Sequence, residues 1–310
     1  MRIEALETAI PETRMPVDAI IGDAGGNARD AEAFVGLFGM EEVAAAEKGA
    51  GAAGWLDRLA AQMAPAVCGM RQALIHVHSL PVTGSVALPE AAVLARRHRA
   101  FAGLVHLFDI DQHNCAGLFY ALAVARRMLE AAMIDEVFIF CGDSLAAWHP
   151  RHRYVPGCTL LGDGFALLRL TAAADGLQVG KVATAHHAAF AAGLAADEAG
   201  MRAFNAAHLD LIGDALAGIG HQPGDGTLYP HNINGLCWRL FARRTGVQAD
   251  MIRTELVRDV GHCCASDPLL VLKRQLDTGT SNPDGAMIAV GMGGYVGAAA
   301  ISAAAAGHAI

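Results

Sequence analysis

Short apolar runs of β character alternate with stretches of helical periodicity along this chain, and that alternation limits it to the α/β class. The runs are Arg2–Leu6, Ala73–His78, Glu136–Cys141, Phe165–Leu170, Gly180–Ala185, Thr227–Tyr229, Glu255–Asp259 and Ala286–Val290. Between them the spacing predicts helices over Asp30–Val43, Ala52–Met63, Pro89–His98, Cys115–Met133, Ala196–Ile219, Ile233–Thr245 and Asp267–Asp277. Around Ala172–Gly180 the composition turns small and polar, which places a boundary between halves 1–172 and 173–310. The second half repeats the rhythm of the first, so two similar halves packed together are expected.

The region from Ala286 onward has no Asp, Glu, Lys or Arg, and its length alone would allow a membrane span. Gly291, Gly293, Gly294 and Gly297 interrupt it, so it reads as two buried strands joined by a glycine turn. A net charge of −8 with no basic block argues against nucleic acid as the partner. Seven cysteines without framework spacing, and no basic-then-apolar leader, point to free thiols in a reducing cytoplasm.

Three polar clusters stand where apolar elements end. The first is Asp109-Ile110-Asp111-Gln112-His113-Asn114-Cys115-Ala116-Gly117, in which Cys115 opens a helix. Free N–H groups and the positive end of a helix favour thiolate over thiol, although a free cysteine is as readily a small buried filler. The second is Tyr229-Pro230-His231-Asn232-Ile233-Asn234, and the third is Val260-Gly261-His262-Cys263-Cys264-Ala265-Ser266-Asp267-Pro268. A histidine at the exit of a rigid strand is well placed for catalysis, yet a lone one is more often structural. Three such sites in one chain shift that balance. No metal site is expected: there is no Cys-x-x-Cys, and His76 and His78 share a strand face without an obvious third ligand.

With these motifs in order, the chain resembles the β-ketoacyl-acyl carrier protein synthase III branch of the thiolase-fold condensing enzymes. The cysteine motif stands as Asp109-Ile110 and Cys115-Ala116-Gly117, the Gly-Asp-Gly turn as Gly162-Asp163-Gly164, the His-x-x-Asn motif as His231 to Asn234, and the closing turn as Gly291–Gly297. The resemblance implies a thiolase fold, two similar halves in an α-β-α-β-α arrangement of five layers. It implies that Cys115 carries an acyl group as a thioester. His231 and His262 would assist decarboxylation of a malonyl-type thioester, whose carbanion then attacks the acyl-enzyme. Backbone N–H groups of Cys115 and Gly293 would form the oxyanion hole, and Asn234 would contact substrate. No tightly bound cofactor is implied; the substrates are thioesters of coenzyme A or of acyl-carrier-protein phosphopantetheine. The partners implied are an acyl carrier protein and a second subunit, in a homodimer or in a heterodimer with a related chain.

Two departures stand out. Asparagine in the third motif is replaced by His262, which can titrate near neutrality. The stretch Gly39-Met40-Glu41-Glu42-Val43 is acidic where many members carry an arginine for coenzyme A. A carrier-protein donor, met by Arg239, Arg243 and Arg244, is therefore the expectation, in a specialised polyketide, fatty-acid-derived or signal-molecule pathway. Transfer of the Cys115 acyl group to an alcohol or amine, and a non-catalytic partner subunit, are the competing readings.

Overall fold

The computed structural model describes residues 1–80, 97–172, 175–222, 224–279 and 282–303. The helix expected over Pro89–His98 falls almost wholly outside them, as does part of the expected boundary between halves. The strands are β1 (Arg2–Ala9), β2 (Arg14–Pro16), β3 (Glu42–Ala44), β4 (Gln72–Val77), β5 (Leu104–Ile110), β6 (Glu136–Cys141), β7 (Tyr154–Val155), β8 (Thr159–Leu160), β9 (Phe165–Thr171), β10 (Leu177–His186), β11 (Thr227–Pro230), β12 (Gly285–Gly291) and β13 (Tyr295–Ser302).

Nine of them form a sheet in the order β11-β12-β13-β10-β1-β9-β6-β4-β5. From its edge the first half reads β5, β4, β6 in parallel, then β9 and β1 antiparallel. The second half repeats this: Ile252 bridges Leu228 in parallel, β11 and β12 are parallel, and β13 and β10 follow antiparallel. Within the nine-stranded sheet the halves meet where Arg2 and Ile3 of β1 face Gln178 and Leu177 of β10. Order and direction therefore carry the duplication that the sequence shows only as rhythm.

Two helices fill the middle layer. Gly117–Glu130 packs on β4 and β6 of one half and on β10 and β13 of the other; Asp267–Asp277 packs on β1 and β9 and on β11 and β12. Leu118, Ala121, Leu122, Ala125 and Leu129 recur at helical spacing and are fully or almost fully buried in the central core. Helix Ala52–Ala60 covers the outer face of β1 and β9, and Glu198–Ile219 covers β10, β12 and β13. This is the five-layered thiolase fold. The glycine-rich terminus forms β12 and β13 joined by a turn, and among the described residues no helix is long and apolar enough to cross a membrane.

Four elements differ from expectation, the helix over Ala52–Met63 ending already at Ala60. The helix expected over Asp30–Val43 is a short one at Ala28–Ala33, capped by Asn27 and Asp30, followed by a wider turn over Phe34–Phe38. Gly39, at φ +72°, ends it and frees Val43 to pair in β3. The Cys115 helix stops at Glu130 rather than Met133, because Ala132 turns left-handed and Met133 N–H donates back to Met128. Glu255–Asp259 is a set of turns closed by local hydrogen bonds, and Ile252 alone occupies the sheet position expected of it.

Candidate active site

The three polar clusters meet between the halves. β5 delivers Asn114 and Cys115, β11 delivers His231, and the loop before helix Asp267–Asp277 delivers His262. Cys115 lies in a single 3-10 turn over Asn114–Ala116 that leads into the central helix. Two non-glycine residues beside the sulfur hold left-handed backbone conformations, Asn114 at φ 46° and Cys264 at φ 53°. Asn114 is tied by its Nδ2 to the Met292 carbonyl at 2.8 Å, so the glycine turn after β12 rests on the cysteine loop. A Cβ on Gly291 would lie 2.8 Å from the His113 carbonyl and 3.2 Å from the Cys115 backbone nitrogen. Gly293, at φ +91°, stands in the same turn, and its carbonyl accepts from His186 Nε2 at 3.1 Å.

The Gly162-Asp163-Gly164 turn seats the third motif. A side chain on Gly162 would overlap the Val260 carbonyl at 2.0 Å, and one on Gly164 would meet Cys263 Sγ at 2.8 Å. Between them the Asp163 carboxylate accepts from Ala46 N–H (2.7 Å), Leu145 N–H (2.8 Å) and the Arg153 guanidinium (2.6 Å). Its role is architectural: it fastens separate loops so that His262 is fixed.

His262 Nε2 is 3.0 Å from Cys115 Sγ, and its Nδ1 is 2.5 Å from Asp267 Oδ2. Asp267 is fully buried at the first turn of its helix, and it also accepts from Asn232 N–H, Asn232 Nδ2 and Cys263 N–H. The result is a Cys115–His262–Asp267 relay. A thiol hydrogen bond from Cys264 pulls the Cys115 pKa down to about 6 against the effect of burial, and the charge on His262 adds to it. Burial would lower His262, but the Cys115 thiolate and the Asp267 carboxylate raise it well above the usual imidazole range. Both shifts favour thiolate on Cys115 and imidazolium on His262. Burial works the other way on Cys158 and Cys237 and, with the nearby charge of Cys115 and of Cys158 respectively, pushes each up to about 12.

His231 is equally buried but differently employed. Its backbone N–H donates to the Ile288 carbonyl and its own carbonyl accepts from Trp238 Nε1, each at 3.0 Å. Its ring faces His262 at 5.8 Å, and both ring nitrogens lack a partner. Burial, with His208 and His262 nearby, holds it well below its usual pKa, so it is a neutral imidazole with a free N–H. His208, from helix Glu198–Ile219, lies 5.5 Å away, and burial lowers it to about 4.

Asn234 caps helix Gly235–Thr245: Oδ1 accepts from Cys237 N–H and Nδ2 donates to the Cys158 carbonyl, each at 2.8 Å, so both ends of its side chain are engaged within the protein. Arg239, Arg243 and Arg244 are exposed on that helix; Arg239 reaches the Leu37 carbonyl and Arg244 pairs with Asp210. A cavity of about 360 Å³ lined by Phe190, Met201, Phe204 and Met292 adjoins the glycine turn. Phe204 in turn contacts His208.

Sequence reading missed Asp267, Cys264 and His208. The signal for Asp267 was an acid five residues after His262 at a proline-led helix start; nothing marks the other two, which tertiary packing alone brings in. Two groups among the described residues have metal-ligand chemistry: Cys115, His262 and Cys264, and, on β4 and β5, His76, His78 and Asp109.

Residues 108–187, which include Cys115 and the Gly-Asp-Gly turn, match the family model described as 3-oxoacyl-[acyl-carrier-protein] synthase III. Among solved structures, the β-ketoacyl-[acyl carrier protein] synthase III of Thermus thermophilus aligns over 98% of this chain and 100% of its own, with 20% identity and a TM-score of 0.79. A structure described as the acyltransferase ChlB3 aligns over 97% of each chain at 22% identity and TM-score 0.78. The priming β-ketosynthase of the R1128 polyketide pathway aligns over 98% of this chain and 96% of its own at 16% identity and TM-score 0.78. No curated protein matches the chain in sequence. The resemblance to synthase III-type condensing enzymes is borne out by the family model and the shared fold.

Proposed function

We propose that this synthase III-like chain loads an acyl group from a thioester onto Cys115 and joins it to a malonyl-type thioester by decarboxylative condensation. The observation that carries the reading is the 3.0 Å contact between Cys115 Sγ and His262 Nε2, backed by Asp267. The thiolate attacks the donor carbonyl, and the leaving thiolate takes the proton held on His262 Nε2, so acylation is balanced without an external base. Backbone N–H groups of Cys115 and Gly293 are assigned to the oxyanion of that step.

The malonyl thioester then enters and loses carbon dioxide. The free N–H of neutral His231 is suited to hold the enolate oxygen that results, because a fixed donor in a dry site stabilises charge as it forms. The enolate carbon attacks the acyl carbonyl and expels the Cys115 thiolate; His262, left neutral by acylation, takes one proton from solvent, and the resting ion pair is restored. The cavity beside the glycine turn supports an acyl or pantetheine occupant by its apolar lining. Arg239 and Arg243 fit an acidic carrier protein, though Arg244 already answers Asp210. Seven free cysteines accord with a reducing cytoplasm.

A second reading is favoured by one feature. Asp267 gives His262 the carboxylate support of a general base, which suits transfer of the acyl group to an alcohol or amine. The two are separated by supplying acyl and malonyl thioesters and measuring carbon dioxide. Release in step with product, at least about tenfold reduced in His231→Ala, supports condensation. Acyl transfer to an alcohol or amine with no release would establish the second reading instead.

A further inference from the structure

We infer that His76, His78 and Asp109 form a divalent metal site of the zinc type, separate from the catalytic cysteine. The sequence shows two histidines on one face of a strand and no third ligand. The register supplies it: β5 runs parallel to β4 with Asp109 directly beside His76. His76 Nδ1 lies 3.4 Å and His78 Nε2 3.9 Å from the same Asp109 oxygen, and the three ligand atoms all fall within 4.8 Å of one another. Zinc bonds of about 2.0–2.2 Å in tetrahedral geometry separate neighbouring ligand atoms by about 3.4 Å, so small shifts close the site.

The surroundings orient His78, while His76 Nε2 is buried without a hydrogen-bond partner. His78 Nδ1–H donates to the Leu80 carbonyl at 2.7 Å, which fixes the tautomer with its Nε2 lone pair toward Asp109. Asp143 holds that loop by accepting from the Ser79 and Leu80 N–H groups at 2.7–3.0 Å. The imidazoles are 4% and 6% exposed, tilted on each other at 4.6 Å, with His76 stacked on Phe140 at 5.0 Å. Both imidazoles converge on one Asp109 oxygen, an arrangement that a bound cation accounts for. Asp109 is 53% exposed, which gives the ion a path in and leaves room for water as the fourth ligand.

The test is titration of chelator-treated protein with zinc chloride, followed by calorimetry and native mass spectrometry. One zinc per chain is expected in wild type and in the Cys115→Ala/Cys264→Ala variant. Asp109→Asn, an exposed change, and His78→Gln should each weaken binding by more than about tenfold with the fold retained by circular dichroism. Absence of zinc binding, binding unaltered by Asp109→Asn, or binding lost in the double-cysteine variant would each overturn the proposal.

Discussion

Cys115 departs from ordinary thiol chemistry because three neighbours act on it together. Cys264 donates to the sulfur, His262 supplies positive charge, and Asp267 keeps that charge in place. A thiol with a pKa of about 6 is mostly thiolate at neutral pH, whereas an ordinary cysteine is a few per cent ionised. The rate of iodoacetamide alkylation should therefore rise with pH to a midpoint near 6, read as loss of free Cys115 by mass spectrometry. Cys264→Ala, which removes the donated hydrogen bond, should move that midpoint upward by about a unit. An unmoved midpoint would assign the shift to His262 alone. The pairing itself lay beyond the sequence: Cys115 and His262 are 147 positions apart, and no local pattern encodes their contact.

Among the elements, β5 is both the carrier of the Cys115 loop and the open edge of the sheet. It exposes Val105 at 57% and Phe108 at 41%, an apolar edge that proteins normally cover or charge. Val105→Glu should therefore change stability by no more than about 0.5 kcal/mol in denaturant unfolding, and a larger loss would show that this edge is covered. Elements with strong punctuation were legible in the sequence: Asp267–Asp277 stands as expected, with Pro268 in its first turn, and the Gly291–Gly294 turn divides two strands. Glu255–Asp259 has the composition of a strand but spends its backbone hydrogen bonds locally, and Gly39 breaks a helix whose apolar spacing runs on beyond it.

At the scale of the whole molecule, two similar halves enclose a dry centre that holds His208 and His231 as neutral imidazoles. Their folded pKa values lie below the unfolded value near 6.5, so the unfolded chain takes up protons first as pH falls. Each therefore costs stability as pH drops below 6.5, and for His208 the loss is complete near its folded pKa of about 4, amounting to about 3 kcal/mol. His208→Leu should flatten the fall of Tm between pH 6.5 and 4 in calorimetry relative to wild type; an unchanged slope would show that His208 is protonated in the folded protein. The fold was legible from alternation and motif order together. The distance between the halves, which sets this dryness, was not, since it depends on tight approaches such as Gly297 against the Phe119 ring.

All of these scales meet in the claim that Cys115 carries the acyl group. Intact-protein mass spectrometry after incubation with a panel of coenzyme A and carrier-protein thioesters tests it most directly. The wild type should gain one acyl mass, mapped to Cys115, while Cys115→Ala should gain none and Asp267→Asn should acylate at least about a hundredfold more slowly. A wild type that stays unmodified with every donor, or an acyl mass that persists in Cys115→Ala, would contradict the account.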